Sequence, residues 1–373
     1  MASDSSERLD LPVPGRGSSS SVLIGPQWLD APPADLVEFV AGRQVFVLTA
    51  PPLAKLLRHH LETLLSGAAE LIELDDIPDG EDAKTVAVAG GLWDRMLEAG
   101  GKRDSLLITL GGGSVGDLGG FVAGCFLRGI DYIQVPSTLL AQVDASIGGK
   151  TAVDLLEGKN TVGLFYHPRF VVADSRLLAT LPPGELRAGL VEAIKMAALL
   201  DPAMFERLED DLEKCLAGDA GSLARVVAES ARAKLRVVEE DPEERLGRRR
   251  VLNFGHTLGH AIEKDLGYGA MRHGEAVAYG LLFALRLSER LELLEDDLGP
   301  RLRAVLKRLE LPALPFERLE TASLCAAMAK DKKALASGLV WVLPRRLGGD
   351  AMQTVDPQLV AEELDAFLAD PWA

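Results

Sequence analysis

Three of the six histidines in the chain fall within one short window: His256, His260 and His273. His256 and His260 are four residues apart, a spacing that sets both side chains on one face of a helix. His273 follows after a turn that contains Gly267 and Gly269. Imidazole is a common ligand for zinc-type ions, and a catalytic site of that kind takes three protein ligands and keeps one position open. A carboxylate from elsewhere can complete the set. Glu192 is the candidate, because Lys195 shares its face one helical turn on, within the otherwise apolar stretch Leu190–Leu200.

A second group of residues suits phosphate. Leu106–Leu110 reads as a strand running into Gly111-Gly112-Gly113-Ser114-Val115-Gly116-Asp117, and then into a helical stretch that ends near Leu127. Gly111, Gly113 and Gly116 satisfy G-x-G-x-x-G between a strand and a helix. Glycines there let the backbone approach a pyrophosphate, and the helix start offers unpaired N–H groups. The usual fingerprint sits in the first strand–helix unit, whereas at least two such pairs precede this one. Asp131, at about the distance of the usual ribose ligand, opens a strand and does not close one. Further on, Asp144–Thr151 and Glu157–Asn160 read as a polar, glycine-punctuated loop region carrying Lys150 and Lys159. Ammonium groups beside flexible glycines suit a phosphate or a carboxylate. Gly149-Lys150-Thr151 lacks the earlier glycine of a P-loop, since Ala145 stands there, so ATP hydrolysis is not expected.

These residues need two kinds of frame. From about Gln44 to Asp174, strand-like runs (Val45–Leu48, Leu71–Leu74, Leu106–Thr109, Tyr132–Val135, Phe170–Val172) alternate with helical stretches such as Leu53–Leu65 and Val86–Ala99. That alternation predicts a parallel sheet covered on both faces. After about Thr180, apolar residues recur three and four apart through Leu186–Leu200, Met204–Leu216, Ser222–Val238, His256–Asp265, Glu275–Leu293 and Leu302–Leu309. Only Leu339–Leu343 looks like a strand there, and Pro182-Pro183 is the join. The expectation is a flexible lead-in over residues 1–21, an N-terminal Rossmann-like α/β domain over 22–181 and an all-α C-terminal domain over 182–373.

Composition narrows the classes of function. At 373 residues the chain is long enough for two domains of about 150 residues each. An apolar share of 47% and a charged share of 26% suit a globular protein. The net charge of −16 disfavours nucleic acid as a partner, yet a few local lysines can still hold one small phosphorylated ligand. Cys125, Cys215 and Cys325 are too scattered for a disulfide framework. No apolar run approaches the roughly 18 residues of a membrane helix. The polar opening has no signal-peptide core, so a cytoplasmic location is expected.

Taken together, these segments resemble the 3-dehydroquinate synthase family, the sugar-phosphate cyclases related to glycerol dehydrogenases. The resemblance runs from about Asp79 to Gly348. It is carried by Gly111–Arg128 (GGGSVGDLGGFVAGCFLR), Gln134–Lys150 (QVPSTLLAQVDASIGGK), Gly158–Asn160, Glu185–Lys195 (ELRAGLVEAIK), Leu252–Glu263 (LNFGHTLGHAIE) and His273–Ala276 (HGEA). It implies a zinc or cobalt ion held by Glu192, His256 and His273, which makes His260 a catalytic or phosphate-contacting residue and not a fourth ligand. It also implies NAD. Asp79, Gly80, Glu81 and Lys84 form the adenosine-ribose segment, and Gly113, Ser114, Val115, Gly116 and Asp117 cradle the pyrophosphate. Ser137, Thr138, Asp144, Lys150, Lys159, Leu177 and Thr180 complete that site. Arg128, Lys150, Asn160, Lys195, Lys234, Arg249, Asn253 and one of Lys332 and Lys333 would grip the substrate. The chain departs from the family's pattern at Thr49–Pro52, Ser137, Asp154 and Met196–Ala198.

In that family NAD takes a hydride from a ring alcohol, phosphate leaves by β-elimination and the hydride returns. Ring opening and an aldol closure then give the carbocycle. The resemblance therefore implies a lyase that makes 3-dehydroquinate from a seven-carbon keto-acid phosphate, DAHP, as a homodimer. Lys234 and Arg249, as carboxylate contacts, favour that substrate. The alternatives are a sister cyclase such as 2-deoxy-scyllo-inosose synthase, acting on glucose 6-phosphate, and a related polyol dehydrogenase.

Overall fold

A computed structural model describes residues 6–13, 18–156, 158–329, 334–335 and 338–372. The chain divides into two compact units. One runs to Pro182 and takes in Gly218–Glu243, and the other comprises Pro183–Ala217 and the chain from Glu244 onward. Among the described residues no helix is long and apolar enough to cross a membrane.

The first unit is built on strands β1 (Glu7–Val13), β2 (Ser18–Ile24), β3 (Gln44–Thr49), β4 (Glu70–Leu74), β5 (Leu106–Gly111), β6 (Asp131–Pro136), β7 (Lys150–Leu155), β8 (Gly158–Phe165) and β9 (Phe170–Ala173). Seven of them form one sheet in the order β1-β2-β9-β6-β5-β3-β4, parallel throughout except for the antiparallel pair β1–β2. Both faces are covered, which is why the central strands are apolar at nearly every position. Phe46, Leu48 and Leu107 pack with Leu92 and Met96 of the helix Val86–Glu98 and with Leu118 and Val122 of the helix Gly113–Cys125. Val45, Val47, Ile108 and Ile133 pack on the other face with Leu36, Val40, Leu57 and Leu61. The Gly113–Cys125 helix lies very close to its strands. A Cβ on Gly119 would sit 2.1 Å from Thr109 Cγ2, and one on Gly120 would sit 2.3 Å from Thr151 Cγ2.

Several expectations need correction. Residues 1–21 are not simply a flexible lead-in, since the described part forms the β1–β2 hairpin, with Leu11 buried. Its second strand opens on serines, its buried apolar residues are only the short run Val22–Ile24, and polar pairs fix the rest. Ser21 Oγ donates to Asp10, and Arg8 reaches Asp35 at 2.6 Å and Ser21 at 2.9 Å. The glycine-punctuated region around Lys150 and Lys159 is an antiparallel hairpin of β7 and β8 and not a loop. Leu53–Leu65 is broken into the helix Pro51–Leu57, a tight turn Arg58–Leu61 and the single turn Glu62–Leu65. The helix Ala220–Glu240 belongs with the first unit although it lies beyond Pro182. Its buried face meets β1, β2 and the turns Ala141–Ala145 and Ser175–Thr180, and Arg232 pairs with Glu7.

The second unit is largely helical, and its helix His273–Arg290 is buried along most of its length. That helix packs against Pro183–Leu200, His256–Leu266 and Pro357–Ala369. Glycines permit the closest crossings. A Cβ on Gly274 would lie 2.1 Å from Ala188 O, and one on Gly280 would lie 1.8 Å from Gly255 O. The unit also carries a three-stranded antiparallel sheet, β10 (Ala334–Leu335), β11 (Gly338–Arg346) and β12 (Gly349–Thr354), of which only β11 was legible as a strand.

Candidate metal centre and nucleotide turn

In the helical unit, Glu192 and Lys195 lie on Pro183–Leu200, His256 and His260 lie on His256–Leu266, and His273 opens His273–Arg290. The His256 ring centre is 5.2 Å from those of His260 and His273, and the three histidines offer nitrogens within 4.8 Å of one another. Glu192 Oε1 joins them, 3.7 Å from His256 Nε2 and 3.5 Å from His273 Nε2. This oxygen is buried and has no hydrogen-bond partner, while Lys195 pairs with Oε2. An unsatisfied buried acceptor costs about 1–3 kcal/mol, and more when it is charged.

The other ring nitrogens are engaged. His256 Nδ1 lies 3.1 Å from Phe254 O, and because a carbonyl only accepts, Nδ1 carries the proton and Nε2 keeps its lone pair. His273 Nδ1 lies 2.9 Å from Glu263 Oε2. Burial, reinforced by Lys195 and the neighbouring histidines, keeps His256 neutral, well below its ordinary range. Burial acts the same way on His273, but Glu263 and Glu192 outweigh it and hold the ring up to about 10. Once His273 gives up its proton to make way for an ion, two Nε2 atoms facing a buried carboxylate oxygen form a donor set that fits a divalent cation. His260 is more exposed than either neighbour. Sequence reasoning missed Glu263; its signal is a position two helical turns after His256 on the same helix.

In the sheet unit, the Gly113–Cys125 helix starts directly at the end of β5. Gly112, its N-cap, has no side chain to cap with, so the first-turn N–H groups of Gly113, Ser114 and Val115 remain for a ligand. Ser137 N–H donates to Gly111 O at 2.8 Å, and the buried Ser137 Oγ has no hydrogen-bond partner. Both features fit a phosphate-bearing cofactor. Asp79 accepts from Gly80 N–H at 2.9 Å and starts the turn that carries Glu81. Ser114 Oγ donates to Glu81 Oε2 at 2.8 Å, and Lys159 lies 3.3 Å from Glu81 Oε1. Lys84, almost wholly buried, reaches Asp117 at 2.8 Å and Glu81 at 3.4 Å and also donates to Asn160 Oδ1. Burial alone would raise Glu81, but Lys84 and Lys159 hold it down at about 2.

The remaining candidates are more dispersed. Lys234 donates to Asp144 O at 2.6 Å and pairs with the Asp144 carboxylate, and Thr138 Oγ1 accepts from Ala141 N–H at 3.2 Å. Val115 and Leu177 bury their side chains, leaving only main chain for a ligand, whereas Thr180 and Lys150 are exposed. Arg128 closes the turn Phe126–Arg128 at φ +68°. In the helical unit Arg249 is buried, and Asn253 Nδ2 is buried without a hydrogen-bond partner. Lys332 and Lys333 lie outside the described residues.

The chain is similar to known proteins over most of its length. The family described as 3-dehydroquinate synthase N-terminal matches residues 75–188, and 3-dehydroquinate synthase C-terminal matches residues 189–334. The 3-dehydroquinate synthase of Pelobacter propionicus is 43% identical over 325 residues, 87% of this chain and 89% of that protein. A solved 2-deoxy-scyllo-inosose synthase, complexed with carbaglucose-6-phosphate, NAD+ and Co2+, superimposes with a TM-score of 0.85 at 27% identity, covering 95% of this chain and 98% of that one. The 2-epi-5-epi-valiolone synthase from Streptomyces hygroscopicus subsp. jinggangensis 5008, with NAD+ and Zn2+ bound, gives 0.84 at 26% identity over 96% and 98%.

Proposed function

The chain belongs to the 3-dehydroquinate synthase family, and from that footing we propose that it converts DAHP to 3-dehydroquinate and phosphate. Glu192, His256 and His273 would hold a divalent ion, zinc or cobalt. The observation that carries this reading is Glu192 Oε1, buried, without a hydrogen bond and facing two imidazole Nε2 atoms. The N–H groups of Gly113, Ser114 and Val115, with Ser137 and the Glu81–Lys84–Lys159 network, would hold NAD. When bound, NAD accepts and returns a hydride, and the ion polarises the oxygen of the alcohol being oxidised.

The chain's own residues supply orientation and charge. Lys234 and Arg249 hold the substrate carboxylate, and Asn160, Lys195 and Asn253 orient its hydroxyls. Lys150, Arg128, His260 and one of Lys332 and Lys333 stabilise the departing phosphate. A homodimer in the cytoplasm is part of the same proposal, and sedimentation of the purified protein measures the first of these.

Identity of 43% to a 3-dehydroquinate synthase, against 27% to the glucose 6-phosphate-type cyclase, supports the keto-acid substrate. Purified protein with NAD and zinc or cobalt should release phosphate from DAHP with no net NADH. Release from glucose 6-phosphate with none from DAHP would overturn the substrate. Steady NADH accumulation with a polyol would point to a dehydrogenase.

A further inference from the structure

We propose that Asp154 is a positioning residue that holds Asn160 in place, an inference that rests on the reading of Asn160 as a substrate contact. β7 and β8 pair regularly from Lys150 opposite Phe165 to Val153 opposite Val162, and then the register shifts before Leu155 meets Gly158. Across that shift a single residue of β7, Asp154, faces three of β8, Lys159, Asn160 and Thr161, so the bulge lies on β8 and carries Asn160. The Asp154 N–H donates to Lys84 O at 2.7 Å, which ties this end of β7 to the turn carrying Glu81 and Lys84. Its carboxylate reaches across the end of the hairpin and accepts from Asn160 N–H at 2.6 Å.

Asn160 stands at φ +53°, a left-handed conformation that asparagine tolerates better than most other residues with a side chain and that its partners here favour. In that conformation its Oδ1 accepts from the Lys84 ammonium, which also reaches Asp117 in the first turns of the Gly113–Cys125 helix. Asp154 thus touches the segment on both sides: its backbone is joined to Lys84, and its carboxylate to the residue that Lys84 binds. Burial and the nearby Glu81 disfavour a charge on Asp154, and the Asn160 N–H and Lys84 oppose them. Bulges commonly re-aim a side chain beside a functional site, and here the bulged residue is Asn160, whose backbone Asp154 fixes from the facing strand.

The test uses the full chain with NAD and zinc. In Asp154→Ala, Asn160 should leave the left-handed region in a crystal structure, and its amide should exchange faster. kcat/KM for DAHP should fall by about 100-fold, the scale of loss for a reacting constellation shifted by about 1 Å. NAD affinity should be unchanged, because Lys84 keeps Asp117 and Glu81. Asp154→Asn retains the acceptor and should recover both the Asn160 conformation and most of the rate. Asp154→Val serves in place of alanine should alanine not fold. Asp154→Ala combined with Asn160→Ala should be no slower than Asn160→Ala alone. An Asn160 that stays left-handed in the alanine variant, or losses that multiply in the double variant, would overturn the proposal. If the wild-type chain releases no phosphate from DAHP, the substrate reading falls, while the Asn160 conformation and amide exchange still decide the role of Asp154.

Discussion

Glu263 does for His273 what the Phe254 carbonyl does for His256: each lies against Nδ1 and leaves Nε2 facing Glu192. The carbonyl cannot be removed by substitution, but the carboxylate can. Glu263→Ala should leave the fold intact and weaken zinc binding by about 10–100-fold, the usual effect of losing the group behind a ligating imidazole. Glu263→Gln, which keeps an acceptor, should fall between. Competition against a chelator of known affinity measures both, and unchanged affinity in the alanine variant would remove Glu263 from the site. His256→Ala should lose metal and turnover together, whereas Lys150→Ala should keep metal, measured by elemental analysis, and lose phosphate release. At this scale the histidines were legible because they crowd one short window. Glu192 was legible only through Lys195, one helical turn away. Glu263 was not, because spacing alone does not say which of 56 acidic residues meets which ring nitrogen.

Elements carry these residues, and their crossings set the tolerances. The helix His273–Arg290 meets the turn before His256 with no room for a methyl group, since a Cβ on Gly280 would fall 1.8 Å from Gly255 O. That contact is backbone, so no side chain can rotate to relieve it. Gly255 itself stands at φ +78°, which fixes how the chain enters the helix at His256. Gly280→Ala should therefore displace the start of that helix, destabilise the protein by about 1–3 kcal/mol as overpacking does, and lower metal content in step. Thermal melting with elemental analysis tests this, and full metal loading in a destabilised variant would separate packing from the site. The central strands of the sheet were legible because burial on both faces demands continuous apolar runs. β1–β2 and β7–β8 were not, because their buried apolar residues are few and interrupted by Ser, Thr, Gly and charged residues, and polar pairs and a register shift complete them. The periodicity of Ala220–Glu240 gave a helix with a buried face, but it could not say which unit that face meets.

At the scale of the whole molecule, the two candidate ligand sites fall in different compact units. The glycine turn and the Glu81–Lys84 network lie in one, and Glu192, His256 and His273 lie in the other. A ligand that binds only the folded state stabilises it by about 2.7 kcal/mol at a hundred times its dissociation constant. Each ligand should therefore protect first the unit that holds its own ligating groups. With NAD saturating, chelation should speed amide exchange across Pro183–Leu200, His256–Leu266 and His273–Arg290 while β5 and Gly113–Cys125 stay protected. With zinc saturating, withdrawal of NAD should reverse the pattern. Exchange resolved by peptide reads both arms in one preparation. If chelation loosened the glycine turn as much as the histidine helices while NAD stayed bound, the ion and the nucleotide would not be stabilising separate units, and the division of labour between them would fail.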